Sequence, residues 1–258
     1  MKLCFSTLGC PGWSIVQVAE NAAAYGYDGV ELRIHGDRHV DPALTKKERH
    51  HVKDLFVSHG ISIPTIAGYT TFCGDDTARL TSNKEALLRN AELAADLGAP
   101  YLRTVMGTDG EFTSRGEEVL RTACNAAYEM GVTVVLEIHG SIKSGKLMSK
   151  VLGAVNSPSL GVLWDIHHSV AAGEPPEDTW QYVGQHVRHM HIKDATADNS
   201  LVLMGVGVLP VAEVVKTALK NGYKGFFSFE WEKTWVPSLE EPEIALPQYV
   251  SYMRGLCM

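Results

Sequence analysis

Short apolar runs and longer helix-like segments alternate eight times along this 258-residue chain, and that alternation constrains the fold more than any other feature. Strict alternation favours a parallel sheet, because a helical crossover returns each strand in the same direction. Eight strand–helix units in a chain of this length indicate a sheet closed on itself, so we predict a single (β/α)8 TIM barrel over residues 1–258. The predicted strands are Leu3–Ser6, Gly29–Arg33, Ile61–Ala67, Tyr101–Thr104, Thr133–Glu137, Gly161–Asp165, Val187–Ile192 and Gly225–Glu230.

Local sequence signals support helices between these strands. Ser or Thr followed three residues later by Glu forms a capping box, in which hydroxyl and carboxylate accept hydrogen bonds from free backbone N–H groups. This pattern predicts helix starts at Thr45, Ser82 and Ser114. The alternative architecture, an open doubly wound sheet, usually has a glycine-rich phosphate loop after its first strand, and the segment 9–12 (Gly-Cys-Pro-Gly) does not fit one.

Composition narrows the classes of partner. The formal net charge is -7 and there is no dense Lys/Arg cluster, which argues against a nucleic-acid partner. No apolar stretch approaches the length of a membrane span, so we expect no membrane partner. Five widely spaced cysteines without a CxxC pair, and an N-terminus without the apolar run of a signal peptide, favour reduced thiols in the cytoplasm. The sequence leaves open whether the protein forms a homo-oligomer.

Four strands end in acidic or histidine residues where barrel strands normally carry apolar ones. Alternation along a strand places every second side chain inside the barrel. The parity of strands five to eight puts four such residues inside, at or near the C-terminal ends, where barrel enzymes build their sites. They are Glu137, Asp165, His191 and Glu230.

This set of side chains predicts a metal site. Three carboxylates packed together repel one another, and a divalent cation would neutralise that repulsion. Oxygen and nitrogen ligands without a thiolate suit one ion of Mn, Mg, Co or Zn. The alternative is an ion-pair network in which Arg33, Arg103 and Lys193 compensate the carboxylates.

Five short motifs follow one another with the spacing of barrel strands. They are Gly26-Tyr27-Asp28-Gly29-Val30-Glu31-Leu32, Leu136-Glu137, Asp165-Ile166-His167-His168, His189-Met190-His191-Ile192-Lys193-Asp194 and Phe229-Glu230. In this order they resemble the xylose isomerase-like superfamily of sugar isomerases and epimerases, which includes ketose 3-epimerases, hydroxypyruvate isomerase and inosose dehydratase. The resemblance covers nearly the whole chain and is more specific for the superfamily than for one reaction.

The resemblance implies roles for these residues and a small sugar or polyol as substrate. It implies that the four inward residues are the metal ligands, that Glu137 and Glu230 also act as the acid/base pair, and that His168 contacts substrate oxygens. The epimerases carry a second glutamate six residues after the fifth-strand ligand, where this chain has Lys143. The segment 137–140 (Glu-Ile-His-Gly) is closer to isomerase-like and dehydratase-like members.

Four further residues each have two interpretations. His139 shares the parity of Glu137 and is either a general acid or base or a side chain hydrogen-bonded to a loop carbonyl. Lys193 either binds a substrate oxygen or phosphate or pairs with a neighbouring carboxylate. Glu31 and Arg33 share an inward parity and are candidates for substrate binding, although an ion pair between them or with neighbours would also explain both.

Residues of the expected mouth loops also have two interpretations. Trp13 and Trp235 could stack on a sugar face, but ordinary loop packing explains each as well. The segment 205–207 (Gly-Val-Gly) follows the seventh strand, where barrels often bind phosphate, yet no basic residue stands beside it. A phosphorylated substrate is therefore not indicated.

Two reaction classes fit this site best. In isomerisation or epimerisation, a metal-polarised carbonyl acidifies the adjacent C–H, and one carboxylate takes the proton to give an enediolate. In a dehydratase or lyase, the enolate instead expels a hydroxyl that His139 or Lys193 protonates. An abasic-site endonuclease would need a multi-metal cluster and a basic face, and a metal-free binding barrel would need no cation at all.

Overall fold

Eight parallel strands close into a barrel in the computed structural model, which describes residues 1–34, 39–107 and 111–256. Neighbouring strands follow chain order, and the last strand closes the ring by pairing with both the seventh and the first. A small antiparallel ribbon of two short strands stands apart from the barrel. The strands are β1 (Lys2–Ser6), β2 (Gly29–Arg33), β3 (Thr65–Ala67), β4 (Tyr101–Thr104), β5 (Thr133–Glu137), β6 (Leu160–Asp165), β7 (Val187–Ile192), β8 (Asp194–Ala195), β9 (Leu201–Val202) and β10 (Phe226–Phe229).

Helices connect the barrel strands, and their capping residues explain where several of them begin. Thr45 caps the helix that begins at Lys46 through the predicted capping box with Glu48. The predicted start at Ser82 is wrong, because Asp76 caps a helix that begins at Thr77 and Ser82 lies inside it. The helices are α1 (Ile15–Tyr25), α2 (Lys46–Ser58), α3 (Thr77–Leu97), α4 (Ser114–Glu129), α5 (Gly145–Val155), α6 (Ile166–Ala171), α7 (Pro176–Val183), α8 (Val211–Lys220) and α9 (Pro242–Gly255).

The predicted (β/α)8 barrel is confirmed, and its strand bounds agree closely except at the third strand. The predicted run Ile61–Ala67 is a strand only from Thr65 to Ala67. Pro64, which precedes it, has no N–H to donate to a neighbouring strand. Only a single bridge between Ser62 and Gly29 extends the pairing towards the N-terminal side.

The apolar core lies between the barrel and its helices, whereas much of the barrel interior is polar. Val134, Leu136 and Ile138 belong to the core, as their parity predicts, while Glu137 points to the other side and is fully buried. A buried charged group is costly unless it is paired or binds a cation. The polar interior therefore marks the part of the molecule where function is to be sought.

Two further observations concern membrane spans and cysteines. Within the described ranges, no helix is long and apolar enough to cross a membrane. The cysteines at positions 4, 10, 73 and 124 are buried and form no disulfide among the described residues, and Cys257 lies outside the described residues.

Candidate metal centre

Four side chains from neighbouring strands converge at the C-terminal end of the barrel. Each offers one ligand atom, and these atoms all lie within 4.8 Å of one another. Strand register contributes to this arrangement, because Asp165 at the end of β6 pairs with His191 in β7. The four are the residues whose inward parity was recognised from the sequence: Glu137, Asp165, His191 and Glu230.

The imidazole of His191 is the centre of this cluster. Its Nδ1 lies 3.1 Å from Oε1 of Glu137 and 3.2 Å from Oε1 of Glu230. Burial alone would lower the pKa of His191, but the carboxylates of Glu230 and Glu31 hold it well above its usual value. Without a metal, a proton on His191 thus supplies part of the positive charge that the cluster requires.

Two buried cationic side chains supply the rest of the positive charge that the carboxylates require. Arg103 Nε donates to Glu137 Oε2 at 2.6 Å, and Lys193 pairs with Glu230 and lies 3.0 Å from Asp165 Oδ2. Burial would raise the pKa of all three carboxyl groups, but these cations and His191 hold them below their usual range. The ion pairs expected as the alternative to a metal therefore exist for Arg103 and Lys193.

The donor set nevertheless fits a divalent cation. Asp165 Oδ2 is buried and, among the described residues, makes no hydrogen bond, although Lys193 is close. Three carboxylates and one imidazole offer oxygen and nitrogen donors of the kind that Mn, Mg, Co and Zn accept. A cation here would replace the proton on His191 and use the spare lone pair of Asp165.

A cavity of about 310 Å³ opens above the cluster and is lined by two of the four predicted substrate-binding residues, His168 and Lys193. His139 and His168 meet edge to face in its wall, with ring centroids 4.4 Å apart. Burial lowers the pKa of His168, so its imidazole is neutral and can donate or accept a hydrogen bond. The cavity is lined by Leu8, Tyr69, Arg103, Val105, His139, His168, Lys193, Glu230, Glu232 and Trp235.

Two polar residues of this lining were missed by sequence reasoning. Glu232 has the parity of Glu230, two residues further on, and its Oε1 lies 2.8 Å from Lys193 Nζ. Tyr69 follows β3, and the Arg103 guanidinium lies 4.9 Å from its ring centroid. Burial raises the pKa of Tyr69 to about 12, so its phenol is protonated at neutral pH and can donate to a ligand oxygen. Extending the parity rule past β10 could have found Glu232.

Glu31 and Arg33, both predicted to bind substrate, occupy different places. Glu31 is fully buried beneath the cluster and contacts His189 and His191 instead of lining the cavity. Arg33 is buried and lies with its guanidinium 5.0 Å from the ring centroid of Trp235, so it packs beside a residue that lines the cavity without lining the cavity itself. Trp13 is elsewhere, donating its indole N–H to Glu243 at 3.0 Å.

The backbone N–H groups of the loop after β7 already bind a carboxylate of the protein itself. The Asp194 carboxylate accepts backbone N–H bonds from Gly205, Gly207 and Leu209 at 2.9 to 3.2 Å. A phosphate would need those same donors. The glycine pair at this position thus serves loop structure.

Comparison with known proteins agrees with this geometry. A family model described as "Xylose isomerase-like TIM barrel" matches residues 19–253. Fructoselysine 3-epimerase from Escherichia coli O157:H7 is 24% identical over 274 residues, covering 99% of this chain and 98% of that protein.

Two solved structures share the fold with less sequence identity. The IOLI protein with a bound zinc atom has a TM-score of 0.81 and 18% identity, covering 99% of this chain and 98% of that one. The probable 3-DHS dehydratase AsbF from Bacillus anthracis has a TM-score of 0.78 and 19% identity, covering 90% and 93%. At such identities the likeness establishes the fold alone.

Proposed function

Because the chain belongs to the family of xylose isomerase-like TIM barrels, we propose that it is a divalent-metal-dependent isomerase or epimerase of a keto sugar or related polyol. The observation that carries this proposal is the convergence of Glu137, Asp165, His191 and Glu230 within 4.8 Å beneath a polar cavity. When bound there, a divalent cation would polarise a carbonyl and its neighbouring hydroxyl, which acidifies the C–H between them and stabilises the resulting enediolate. The similarity to an enzyme named a 3-epimerase supports the same reaction class.

Glu230 is the residue best placed to move the proton. It lines the cavity, whereas Glu137 lies deeper and is fully buried against Arg103 and His191. Buried ion pairs keep Glu230 ionised, so it can act as a base at neutral pH. We assign Glu137 as the second acid/base group, as the family resemblance implies, and keep His139 as the competing candidate because it lines the cavity.

The remaining cavity residues would orient the sugar. His168, Lys193 and Tyr69 offer hydrogen bonds to hydroxyl or carbonyl oxygens, and Trp235 offers an aromatic face beside Arg33. A neutral, unphosphorylated substrate fits best, because Asp194 already occupies the backbone donors of the 205–209 loop. The four buried, unbridged thiols are what we expect of a cytoplasmic enzyme.

A dehydratase acting on a keto sugar or keto-inositol is the second candidate. His139 and Lys193 both line the cavity beside Glu230, so either could protonate a departing hydroxyl after the base has formed the enolate. The fold similarity to a probable 3-DHS dehydratase is compatible with this reaction.

One experiment separates these functions. The protein, stripped of metal and then reloaded with Mn, Mg, Co or Zn, is incubated in D2O with a panel of free ketoses and inososes. Deuterium incorporation beside the carbonyl with an isomeric product supports the isomerase or epimerase, whereas an enone chromophore supports the dehydratase. Failure of the reloaded protein to bind any of the four ions would reject both proposals.

A further inference from the structure

Directly beneath the metal cluster, one carboxylate from β2 is shared by two histidines from β7. Oε2 of Glu31 lies 2.8 Å from Nε2 of His189 and 3.0 Å from Nε2 of His191, and its Oε1 lies 3.2 Å from the latter. All three side chains are fully buried. This is a closed interior contact, separate from the cavity that would receive a substrate.

The shared carboxylate decides where the imidazole protons reside. An ionised carboxylate can only accept hydrogen bonds, so both Nε2 atoms facing Glu31 must carry hydrogen. In His191 this leaves Nδ1, which faces Glu137 and Glu230, as the nitrogen whose lone pair can bind a cation. The imidazole binds metal through a lone pair, and the hydrogen bond made by its other nitrogen selects which lone pair is free.

We propose that Glu31 is a positioning residue that holds His191 with Nε2 protonated and Nδ1 directed at the metal. This inference rests on the proposed function, since it presumes that His191 is a metal ligand. It explains why an acidic residue is buried at this height in the barrel, in contact with both histidines and away from the substrate cavity. An ionised carboxylate has enough lone pairs to accept a hydrogen bond from both histidines at once.

His189 supports Glu31 from the other side. Its Nε2 takes the shorter contact with the carboxylate, while its Nδ1 is buried and, within the described ranges, has no hydrogen-bond partner. An apolar residue would avoid that orphaned lone pair, so the histidine is explained by the bond it makes to Glu31. We infer that this bond keeps the carboxylate oriented towards His191.

A different use of the same atoms must be distinguished. Donor atoms of Glu31, His189 and His191 also lie within 4.8 Å of one another, so they could hold a second cation with His191 as a bridge. The hydrogen-bonding role needs no cation and no access from solvent. Metal stoichiometry and the identity of the ligating nitrogen separate the two arrangements.

The experiment uses zinc as a diamagnetic probe of the whole protein. Zinc affinity and stoichiometry are measured by calorimetric titration for the wild type, Glu31→Gln and the matched control Thr65→Val. Thr65 is buried in the adjacent strand, and its hydroxyl makes no hydrogen bond among the described residues, so the isosteric valine removes no contact. Long-range ¹H–¹⁵N spectra of the zinc-loaded wild type then show which nitrogen of His191 carries hydrogen.

We expect one zinc per chain, bound through Nδ1 with hydrogen on Nε2. Both carboxylate oxygens of Glu31 contact Nε2 of His191, so in either orientation of the glutamine amide the NH2 group faces that nitrogen and disfavours hydrogen on it. Zinc affinity should therefore fall by roughly 10- to 100-fold in Glu31→Gln, the usual effect of losing a residue that orients a ligand, and stay unchanged in Thr65→Val.

Three results would overturn this inference. They are zinc on Nε2 of wild-type His191, equal zinc affinity in Glu31→Gln and Thr65→Val, and a second zinc that Glu31→Gln abolishes. The first needs no variant, so it decides the question even if Glu31→Gln fails to fold. A wild type that binds no divalent ion rejects the proposed function as well, whereas tight binding in Glu31→Gln rejects the positioning role alone.

Discussion

A cavity opens at each end of the barrel, and the two cavities differ in volume and in the side chains that line them. The candidate site lies at the smaller one. The cavity at the N-terminal end measures about 660 Å³ and the one at the C-terminal end about 310 Å³. In the part of the chain that the structure describes, the larger cavity is lined mostly by apolar residues and glycines, together with Ser62, Tyr101 and three lysines, and it has no Asp, Glu or His. The smaller cavity combines histidines, carboxylates and cations with two aliphatic and two aromatic side chains.

Lys53 at the N-terminal end has a structural explanation. Helices of a barrel run opposite to its strands, so the ends of α2 and α3 lie beside the larger cavity, which is lined by Val57, Gly60, Leu97 and Gly98. Lys53 of α2 lies next to Gly98, which follows the last residue of α3, where the negative end of the helix dipole stabilises a cation. At the C-terminal end, by contrast, buried carboxylates are placed against one another, which costs stability and therefore calls for a functional explanation.

The largest difference between the two ends should appear in proton transfer. Glu230→Gln keeps the shape of the side chain and removes its basicity, so substrate deuterium exchange should fall by roughly 10²–10⁴-fold. The matched control Glu213→Gln changes an exposed residue of α8 and should leave exchange unaltered. Exchange that persists in Glu230→Gln but disappears in His139→Asn would make His139 the base and favour the dehydratase.

Metal affinity should respond differently to the loss of one aspartate at each end of the barrel, Asp165 at the C-terminal end and Asp28 at the N-terminal end. Asp165→Asn removes a charge that the cation needs, so affinity should fall by more than about 10- to 100-fold, the effect of losing a residue that only orients a ligand. A saturating metal should stabilise the wild type, by about 2.7 kcal/mol at 100 times the dissociation constant, and raise its melting temperature. This shift should be lost in Asp165→Asn.

Asp28→Asn is the control for this prediction. Asp28 lies just before β2, where Oδ2 accepts from the Leu3 N–H at 2.8 Å and pairs with Arg254. The variant should lose some stability but bind metal as the wild type does. If Asp165→Asn binds metal as tightly as Asp28→Asn, then Asp165 is a structural residue and the two ends do not differ as described.

The apparent metal affinity should rise with pH, an effect smaller than that of losing Asp165. The pKa of His191 in the metal-free fold is well above its usual value, chiefly because Glu230 and Glu31 outweigh the effect of burial. From pH about 6.5 up to that raised pKa, binding must expel a proton, so apparent affinity should rise by up to about tenfold per pH unit. Calorimetry in buffers of different ionisation enthalpy counts the released proton.

The metal-free protein should respond to pH in the opposite direction. A raised pKa in the folded state stabilises the fold at low pH, and this contribution is lost as pH rises through the folded pKa. The melting temperature gained on adding metal should therefore increase with pH across this window. A gain that is independent of pH would mean that His191 is already neutral without metal.

The contrast between predicted and missed site residues follows from periodicity. The four cluster residues lie within strands or next to them, where alternation with period two reports which side chains face the interior. Tyr69 lies beyond β3 in a segment without such a period, so no sequence pattern placed it in the cavity. The barrel itself was predictable because each strand is a short apolar run between helices with recognisable ends.

The alternation of side chains along a strand does not report how far along the barrel axis a side chain lies, or which side chains it contacts. Glu31 was correctly assigned to the interior, but only strand register and three-dimensional packing place it below the cluster, against His189 and His191. The third strand was predicted too long because an apolar run does not reveal the missing N–H pairing around Pro64. Capping patterns were similarly incomplete, since Asp76 starts α3 ahead of the better-looking pattern at Ser82.

The smallest predicted effect compares one tyrosine at each end of the barrel. Tyr69 lines the C-terminal cavity with a phenol that burial keeps protonated, so it should donate one hydrogen bond to a substrate oxygen. Such a bond is worth about 0.5–1.5 kcal/mol, so Tyr69→Phe should raise KM by roughly 2- to 12-fold while leaving the ring that packs under Arg103 in place. Tyr101→Phe makes the same change beside the N-terminal cavity and should leave KM unchanged.

Steady-state kinetics on the best substrate of the panel measures the KM of both variants. Equal KM values for the two variants would show that Tyr69 does not touch the substrate, whereas a rise in Tyr101→Phe alone would mean that the larger, apolar cavity is the one that receives it.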